Sequence, residues 1–540
     1  MPKIEKSSQY FDQIVDQLSN PDFYPHPVKL ITKIETHISI VFLTGDYAYK
    51  LKKPVNFGFL DFTQIPQRLK FCEKELKLNQ RTAKELYLEV IPLYLNEGQI
   101  SLKPNSNNSV IDCILKMRQF DPNNVLSHYL QKHNLQRSQI SALAHQIADL
   151  HMNSTVVDMT SEFGEPEIAL KPMMDNFPSL KRFISTLTNS EQALLTLEKL
   201  HHTTLEQFDS VKPLLTNRKK NGFIRNCHGD LHLDNITLVN DSPVLFDAIE
   251  FNDYFSHIDT ISDMAFLLID LDFRQRSALS YLILSDYLHF TQDYSSLKVL
   301  NFYKVYRAMV RAKISALQAE QNEIDSTKYN ELTVKTLRYL ALANQLQSNQ
   351  TQPKIILIQG ISGAGKSVLA EKLIQYIDAI IISSDRTRKA LFKIEPTTRV
   401  DEELRSELYS QNMNQKTYNA LLNNTHLAIQ SGFNVIVDAT FLRKSHREKF
   451  YELAKQINVE SYLFSIEVDE KLASESIESR HKTNDDPSDA GTMVMHQQMK
   501  VFEKPMHTEI QTQNVLALDA KKLRHELPVS RIKKFLKLPI

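Results

Sequence analysis

A glycine-rich segment in the second half of the chain combines the residue types and the spacing that can hold a phosphate chain. It runs Gly-Ile-Ser-Gly-Ala-Gly-Lys-Ser over 360–367, follows a β-branched apolar run at 354–359, and precedes apolar residues at helical spacing. Such a strand, loop and helix start direct free backbone N–H groups and the positive end of the helix at one anion. The residues expected to bind the phosphates are Gly360, Ser362, Gly363, Ala364, Gly365, Lys366 and Ser367.

The chemistry expected of this loop is that of a nucleoside triphosphate site. We expect Lys366 to reach the β- and γ-phosphates of ATP and the Ser367 hydroxyl to bind Mg²⁺. The chain has only 11 glycines and three of them lie in this segment, which argues against a chance match in an ordinary turn. A further apolar run at 434–437 ends in Asp438, which predicts a second Mg²⁺ ligand, acting directly or through water.

A candidate general base follows the apolar run at 379–382. Asp385 comes just after this run, and Arg388 lies three residues later. An aspartate at the carboxyl end of a strand beside a phosphate loop is well placed to accept a proton from a substrate hydroxyl. Arg388 would lie on the same helix face, where it could bind a substrate phosphate. Asp385 as a helix N-cap stays an alternative, and the two roles are compatible.

This D-x-x-R arrangement resembles the P-loop kinases of the polynucleotide kinase, gluconate kinase and zeta-toxin group. The resemblance implies a lid around 485–490 and makes Arg480 a catalytic lid arginine that would stabilise charge on the transferring phosphoryl group. Arg443 and Arg447 lie on a predicted helix and are expected on its solvated face.

A second set of chemistry-bearing residues lies in the first half of the chain. Residues 228–235 read His-Gly-Asp-Leu-His-Leu-Asp-Asn, so that Asp230 precedes Asn235 by five positions, and Asp247 ends an apolar strand twelve residues later. Phosphoryl transfer needs a carboxylate that orients and deprotonates a hydroxyl, the role expected of Asp230. It also needs oxygen ligands for Mg²⁺, expected of Asn235 and Asp247. The segment resembles the H-G-D-x-H-x-x-N signature of the aminoglycoside phosphotransferase family, whose fold is protein-kinase-like.

That resemblance covers most of residues 30–345 and implies further site residues. Lys50, at the end of an alternating strand, would hold the α- and β-phosphates, with Glu75 on the following helix as its ion-pair partner. Because strand side chains repeat every two residues, Lys52 competes with Lys50, and Glu73 competes with Glu75 on the helix.

The elements that must position these residues differ between two parts of the first 345 residues: the first part is rich in strands and the second is mostly helical. The first 118 residues predict a small antiparallel lobe with one packed helix. After residue 118 the pattern is mostly helical, and Asp259 and Asp263 are expected to accept backbone hydrogen bonds at a helix start. The predicted elements are a helix at 7–19, a hairpin at 37–52, a helix at 65–84, strands at 87–94, 99–102 and 110–118, and helices at 123–133, 137–153, 190–218, 259–273, 277–293 and 297–347.

Beyond the glycine-rich loop, apolar strand-like runs alternate with helical patterns, which predicts a parallel sheet flanked by helices. A polar segment at 346–353 ends in proline and is the predicted linker. The fold class expected is therefore an α+β, protein-kinase-like bilobal domain at 1–345, followed by an α/β P-loop domain at 354–540.

Composition limits the remaining classes of function. Lys plus Arg and Asp plus Glu both number 64 among 540 residues, so net charge favours neither nucleic acid nor a membrane surface as a partner. Three widely spaced cysteines suggest neither a disulfide framework nor a zinc site. With no apolar leader and no long apolar run in the sequence, the cytoplasm is the expected location.

The whole chain resembles bacterial bifunctional proteins that fuse an aminoglycoside-phosphotransferase-like domain to a P-loop kinase domain. The hypothesis is an ATP- and Mg²⁺-dependent phosphotransferase with two sites, each acting on the hydroxyl of an acceptor, most simply a small molecule. Two alternatives stay open. One domain could be an ATP-binding regulator of the other, or the P-loop half could be a nucleic-acid end kinase, which would need a basic, aromatic-lined channel.

Overall fold

The protein is described from a computed structural model, in which the residues form two compact units. The first unit is Met1–Ala169 with Leu215–Leu267, and the second is Leu170–Leu214 with Leu268–Ile540. The structure describes residues 3–58, 60–96, 98–104, 110–324, 326–348, 352–395, 398, 400–483 and 491–539, without the side chains of 3–9 and 480–483.

A six-stranded sheet forms the first part of the first unit. Its strands are β1 (Thr32–Glu35), β2 (Ser39–Leu43), β3 (Tyr47–Lys52), β4 (Tyr87–Asn96), β5 (Gln99–Ser101) and β6 (Val110–Arg118). They lie in the order β1-β2-β3-β6-β4-β5, and every neighbouring pair is antiparallel. The predicted hairpin is β2 and β3, and the predicted antiparallel lobe is confirmed.

The first two helices of this part of the chain pack on the sheet, and two more follow it in sequence. They are α1 (Lys3–Leu18), α2 (Ile65–Asn79), α3 (Leu126–Lys132) and α4 (Arg137–Asn153). On α1, Ile14 and Leu18 join the buried cluster of the sheet, because they recur on one helix face. A buried ion pair holds α2 to β6: Nη2 of Arg68 lies 2.8 Å from Oδ2 of Asp112. This ion pair fixes the face that α2 presents to the sheet.

Two small sheets carry the predicted catalytic loop of the first unit. The helices before and after them in the chain are α5 (Pro166–Met174), α6 (Asn176–Ile184), α7 (Glu191–Lys220), α8 (Asp253–Ser256) and α9 (Thr260–Phe273). The strands are β7 (Ile224–Asn226), β8 (Ile236–Val239), β9 (Ser242–Leu245) and β10 (His257–Asp259), which pair antiparallel as β7 with β10 and β8 with β9. Asn240 and Asp241 both have positive φ, of 49° and 61°, which suits the two-residue turn that joins β8 to β9.

The second unit contains a group of three helices, two of which were predicted as a single long helix. Its helices are α10 (Ser277–Thr291), α11 (Leu297–Ala319) and α12 (Thr327–Ser348). The single helix predicted at 297–347 would be about 76 Å long. The chain instead breaks between α11 and α12, and the two helices pack against each other. Ser326 Oγ accepts a hydrogen bond from the Tyr329 N–H at 3.1 Å, which stabilises the start of α12.

A five-stranded parallel sheet forms the core of the P-loop region. Its strands are β11 (Lys354–Gln359), β12 (Ala379–Ser383), β13 (Asn434–Asp438), β14 (Glu460–Glu467) and β15 (Asn514–Asp519). The order is β12-β13-β11-β14-β15, with every pair parallel. The predicted parallel sheet is confirmed, and β15 is an additional strand. Because β11 is central, the glycine-rich loop opens at the middle of the sheet's carboxyl edge.

Helices accompany these strands throughout the region. They are α13 (Lys366–Leu373), α14 (Ser384–Leu391), α15 (Glu402–Leu408), α16 (Gln411–Gln430), α17 (Lys444–Gln456), α18 (Glu470–Thr483), α19 (Thr492–Val501), α20 (His507–Thr512), α21 (Ala520–His525) and α22 (Val529–Phe535). The predicted solvated position of Arg447 is wrong. Its side chain is fully buried and pairs with Glu509, with Nε 2.7 Å from Oε1. Among the described residues, no helix combines the length and the apolar character needed to cross a bilayer.

The predicted fold class, an α+β region followed by an α/β P-loop region, is confirmed by these two arrangements of strands. The predicted division at 345/346 and 353/354 stays a prediction. By internal contacts, the second unit extends beyond the P-loop region and includes α10, α11 and α12.

Candidate active sites

The glycine-rich loop of the second unit has a backbone that glycine makes possible. Gly363 has φ +84°, and a Cβ at this position would lie 2.5 Å from the carbonyl oxygen of Ala473 on α18. Gly365, with φ +88°, immediately precedes α13. The loop therefore turns into the helix through left-handed conformations and lies against α18 with no room for a side chain at Gly363.

Gly363→Ala is expected to weaken nucleotide binding at this loop at least tenfold, because α18 or the loop must move away. Gly432→Ala is the matched control, since Gly432 has φ +85° but its added Cβ would meet no other described residue within 4 Å. Both substitutions carry a backbone cost of about 1–2 kcal/mol, but only Gly363→Ala adds the collision. Nucleotide titration together with denaturant unfolding separates the two costs; equal effects of both variants would contradict this account.

Lys366 and Ser367 begin α13 at the edge where the strands end. Nζ of Lys366 donates to the carbonyl oxygen of Ile361 at 3.1 Å. The Ser367 hydroxyl donates to Oδ2 of Asp438 at 2.6 Å, across from the neighbouring strand β13. A serine hydroxyl and a buried carboxylate form an all-oxygen donor set, which is what Mg²⁺ prefers. The two residues predicted as Mg²⁺ ligands thus lie together and fit that ion.

Asp385 and Arg388 form an ion pair on α14. Nη1 of Arg388 lies 2.6 Å from Oδ1 of Asp385, and its Nη2 lies 3.3 Å from Oδ1 of Asn414. The guanidinium also lies over the ring of Tyr409, 4.6 Å from its centroid. The N-cap residue of α14 is Ser383, so Asp385 occupies the second helical position. The side chains predicted as base and substrate ligand are therefore held together before any substrate binds.

A cavity of about 350 Å³ lies beside the glycine-rich loop. Asp385 and Asp438 both line it, together with the glycine-rich loop. This volume lies in the range of small-molecule sites. The lining residues of the loop and of α13 are Ser362, Gly363, Ala364, Gly365, Lys366, Ser367, Val368, Leu369 and Lys372.

The sequence prediction missed the far wall of this cavity. It consists of Leu472, Ser476, Ala520, Leu523, Arg524 and Leu527, from α18 and from the segment after β15. Arg524 donates to the carbonyl oxygen of Leu472 at 3.1 Å, which joins the two segments. No local pattern marks these residues, because their role depends on packing. The side chain of Arg480 and the predicted lid at 485–490 lie outside the described residues.

One further contact of the loop was not predicted. The backbone N–H of Ser362 donates to Oε1 of Gln498 at 2.7 Å. Gln498 belongs to α19 and is buried. The helix that follows the predicted lid is therefore hydrogen-bonded directly to the phosphate loop.

In the first unit, both lysines of β3 reach the same carboxylate. Nζ of Lys50 lies 2.7 Å from Oε1 of Glu75, and Nζ of Lys52 lies 2.6 Å from Oε2. Glu73 is exposed, so the buried partner on α2 is Glu75. The remaining contacts distinguish the lysines: Lys50 also lies 2.7 Å from Oδ1 of Asp247, whereas Lys52 pairs with Glu250. Of the two lysines, Lys50 is the one that reaches a predicted Mg²⁺ ligand.

The charges in this network are mutually stabilised. Burial lowers the pKa of Lys50, but Asp247 and Glu75 outweigh it and hold this pKa well above its ordinary value. Burial raises the pKa of Glu75, but Lys50 and Lys52 together bring it below its ordinary value. Burial raises the pKa of Glu250 despite the opposing effect of Lys52. Lys50 and Glu75 are therefore fully charged near neutral pH.

Lys52→Met is expected to destabilise the chain by about 3–5 kcal/mol, because it leaves Glu250 buried without its cation. Adding Glu250→Gln should recover part of this loss, since the amide needs no counter-charge. Lys116→Met is the control, because its partner Glu89 is exposed and such a pair contributes at most about 1 kcal/mol. The measurement is the free energy of unfolding of the first unit, from denaturant titration of each variant. If Lys52→Met destabilises the unit less than Lys116→Met does, the Lys52–Glu250 pair does not stabilise the fold.

The predicted catalytic loop brings Asp230 and Asn235 into contact. Nδ2 of Asn235 donates to the carbonyl oxygen of Asp230 at 2.9 Å and to its Oδ2 at 3.0 Å. Nε2 of His232 lies 3.2 Å from the same Oδ2. A 3₁₀ turn over Leu233–Asn235 closes the loop. The carboxylate of Asp230 is thus oriented from two sides.

Asp263 holds this loop in place, which the sequence prediction missed. Its oxygens accept the backbone N–H groups of His228 at 2.9 Å and of Gly229 at 3.0 Å. The expectation that Asp263 binds backbone N–H groups holds, but these groups belong to the catalytic loop and not to its own helix start. His228 donates through Nε2 to the carbonyl oxygen of Phe246, and burial lowers its pKa, so it stays neutral.

Asp247 takes an uncommon backbone conformation, with φ 61°. Its N–H donates to the hydroxyl of Tyr87 at 3.1 Å, and the next N–H, of Ala248, donates to Oδ1 of Asn79 at 2.9 Å. These contacts hold the turn and direct the carboxylate towards Lys50. Asn235 and Asp247 offer oxygen donors that fit Mg²⁺ in this unit.

Comparison with known proteins agrees with the C-terminal half of this description. Residues 355–505 match the family model of the AAA domain. The uncharacterized protein Rv2004c of Mycobacterium tuberculosis is 29% identical over 419 residues, which cover 77% of this chain and 80% of that protein.

Two solved structures show more distant likeness. A gluconokinase from Sinorhizobium meliloti has 19% identity and a TM-score of 0.23, over 34% of this chain and 89% of that one. A choline/ethanolamine kinase family protein from Mesorhizobium loti has 14% identity and a TM-score of 0.35, over 62% of this chain and 99% of that one. The residues that match the AAA domain model contain the glycine-rich loop and four of the five strands of the parallel sheet.

Proposed function

We propose that this chain is an ATP- and Mg²⁺-dependent phosphotransferase with two kinase-type sites, each transferring a γ-phosphoryl group to the hydroxyl of a small molecule. The observation that carries the proposal is that an aspartate suited to act on a hydroxyl lines one cavity with a lysine and a Mg²⁺-type oxygen donor. In the second unit these are Asp385, Lys366 and Asp438.

In the P-loop site, different residues would bind the phosphates, bind Mg²⁺ and accept the proton of the acceptor hydroxyl. Backbone N–H groups of the loop and Nζ of Lys366 would hold the phosphates, and Ser367 with Asp438 would hold Mg²⁺. When bound, Mg²⁺ neutralises charge on the β- and γ-phosphates. Asp385 would orient the acceptor hydroxyl and take its proton, while Arg388 fixes the carboxylate through their ion pair.

In the site of the first unit, phosphate binding, Mg²⁺ binding and proton acceptance would likewise be assigned to different residues, on a different fold. Lys50, held by Glu75, would bind the α- and β-phosphates, and Asn235 with Asp247 would hold Mg²⁺. Asp230 would accept the proton of the acceptor hydroxyl, with its carboxylate held by Asn235 and His232. Both sites would accelerate transfer mainly by positioning and by charge.

A small-molecule acceptor agrees with the dimensions and the charge. The cavity at the P-loop has a volume of about 350 Å³, at the lower end of the range of small-molecule sites. Equal numbers of acidic and basic residues give the whole chain no excess positive charge for a nucleic-acid backbone.

The test is a screen of the full-length chain with γ-labelled ATP. The acceptors are sugars, sugar acids, amino alcohols and an oligonucleotide with a free 5′-hydroxyl. Lys366→Ala silences the second site and Asp230→Asn the first, so each variant assigns a labelled product to one site. Label in the oligonucleotide would favour an end kinase. ATP binding without transfer to any acceptor or to water would favour the regulatory alternative.

A further inference from the structure

The strand that leads to Asp385 lies at the edge of its sheet. β12 has β13 as its sole strand neighbour in the order of the described sheet. The other side of an edge strand exposes backbone N–H and C=O groups that need partners. Loss of those partners lets an edge strand open locally at low cost.

Side chains of α10 bind that open side. The N–H of Ile381 donates to Oγ of Ser285 at 3.0 Å, and the N–H of Ser383 donates to Nε2 of His289 at 3.1 Å. The two acceptors are four residues apart and so share one helix face, while the two donors are two residues apart and so share one strand edge. The spacing of the helix therefore matches the spacing of the strand.

Both acceptors present a lone pair to the strand. Ser285 donates its hydroxyl proton to the carbonyl oxygen of Tyr281 at 2.7 Å, which leaves its lone pairs for Ile381. His289 is buried, and Nε2 must carry a lone pair to accept from Ser383, so the ring proton is on Nδ1.

A buried ion pair adds a third connection, beside the candidate base itself. Nη1 of Arg386 lies 2.5 Å from Oδ1 of Asp286, whose side chain is 3% exposed. Arg386 is the immediate neighbour of Asp385 on α14. The three contacts thus connect α10 to β12 at two points and to the first turn of α14 at one.

We propose that Ser285, Asp286 and His289, together the α10 clamp, are positioning residues that place Asp385 for phosphoryl transfer. The proposal rests on the proposed function of the P-loop site. The chain leaves β12 at Ser383 and reaches Asp385 two residues later, so a shift of the strand end moves the carboxylate. A misplacement of about 1 Å at a reacting group can cost about a hundredfold in rate. The catalytic unit therefore begins upstream of the P-loop region, with α10.

The test uses the full-length chain with Asp230→Asn, so that only the P-loop site turns over. The reaction is the Lys366-dependent release of γ-phosphate from MgATP, with water as the acceptor. His289→Leu is expected to lower kcat about tenfold or more and to leave KM for ATP within about twofold, because the phosphate loop is not part of the clamp. His289→Gln should restore most of the rate, since its amide oxygen can accept from Ser383.

Two further measurements separate positioning from general stability. Amide hydrogen exchange should rise in the peptide covering β12 in His289→Leu and in Ser285→Ala. It should not rise in Thr291→Ala, a control on the same helix whose hydroxyl donates to the carbonyl oxygen of Tyr287. In a chain that already carries Asp385→Asn, His289→Leu should lower kcat no further, because both changes act through one carboxylate.

Each outcome decides the proposal. Unchanged exchange at β12, an unchanged kcat, an effect on KM alone, or additive effects of His289→Leu and Asp385→Asn would overturn it. A parent chain that binds MgATP but shows no Lys366-dependent transfer, either to water or to any acceptor of the screen, would overturn the proposed function instead, and with it the catalytic role of the clamp. In that case the exchange measurement would still show whether α10 holds the strand.

Discussion

Asp230→Asn is expected to abolish transfer at the first site, lowering kcat by about a hundredfold or more, with ATP affinity nearly unchanged. In the proposed mechanism the carboxylate acts on the acceptor, whereas the triphosphate is held by Lys50 and Mg²⁺. The amide keeps the size of the side chain and can still accept from Asn235, which donates to Oδ2 of Asp230 at 3.0 Å. The expected loss of kcat therefore comes from the amide's inability to accept the proton of the acceptor hydroxyl, and not from a change in the shape of the site.

The measurement is turnover of a chain that also carries Lys366→Ala, together with calorimetric titration of ATP. Asp234→Asn is the matched control in the same loop, because that carboxylate lies 3.6 Å from Nδ1 of His232 and is 43% exposed. It should change kcat little. An Asp230→Asn chain that transfers phosphate at the parent rate would refute the assignment of Asp230.

Lys366→Ala is expected to weaken ATP binding at the second site by about 10–150-fold, which corresponds to the 1.5–3 kcal/mol of a charged hydrogen bond. It should also slow transfer, because the lysine contacts the phosphates before and during the reaction. Lys372→Ala is the control for charge, since Lys372 lines the same cavity but lies 3.5 Å from the carbonyl oxygen of Leu523. Equal losses in both variants would mean that the cavity needs only positive charge.

Asp385→Asn should separate binding from chemistry at that same site. ATP should bind with its parent affinity, because the proposed role of Asp385 is to act on the acceptor, while kcat falls by about a hundredfold. The amide oxygen can still accept from Arg388, so the fold of α14 is preserved. Undiminished turnover in this variant would leave Asp385 without a catalytic role and would favour an ATP-binding regulator.

The sequence predicted the chemistry wherever the chemistry is local. The phosphate loop, Asp230 with Asn235, and Asp385 with Arg388 each lie within a few residues of one another, so spacing alone brings them together. The choice between Lys50 and Lys52 was different, because a strand places both on one face. Their contacts with Asp247 and Glu250 come from residues about 200 positions away, and no local pattern contains them.

Long-range packing also explains the other differences. The helical pattern of 297–347 is continuous in the sequence, yet α11 and α12 bury their apolar faces against each other. Asp263 looked like a helix cap but binds the catalytic loop instead. Arg447 looked solvated, because its partner Glu509 lies 62 residues later.

By itself the sequence determined the two fold classes and their order in the chain, and it predicted most of the groups now proposed to bind a triphosphate, because periodicity and motif spacing are properties of neighbouring residues. The tertiary structure decided which lysine pairs with which carboxylate and which residues line the far side of the cavity. It also showed that α10 is hydrogen-bonded to the edge strand that precedes Asp385. These contacts depend on which surfaces meet after folding. Apolar faces are buried, and buried polar groups are paired, by residues that lie far apart in the chain, so no local pattern predicts them.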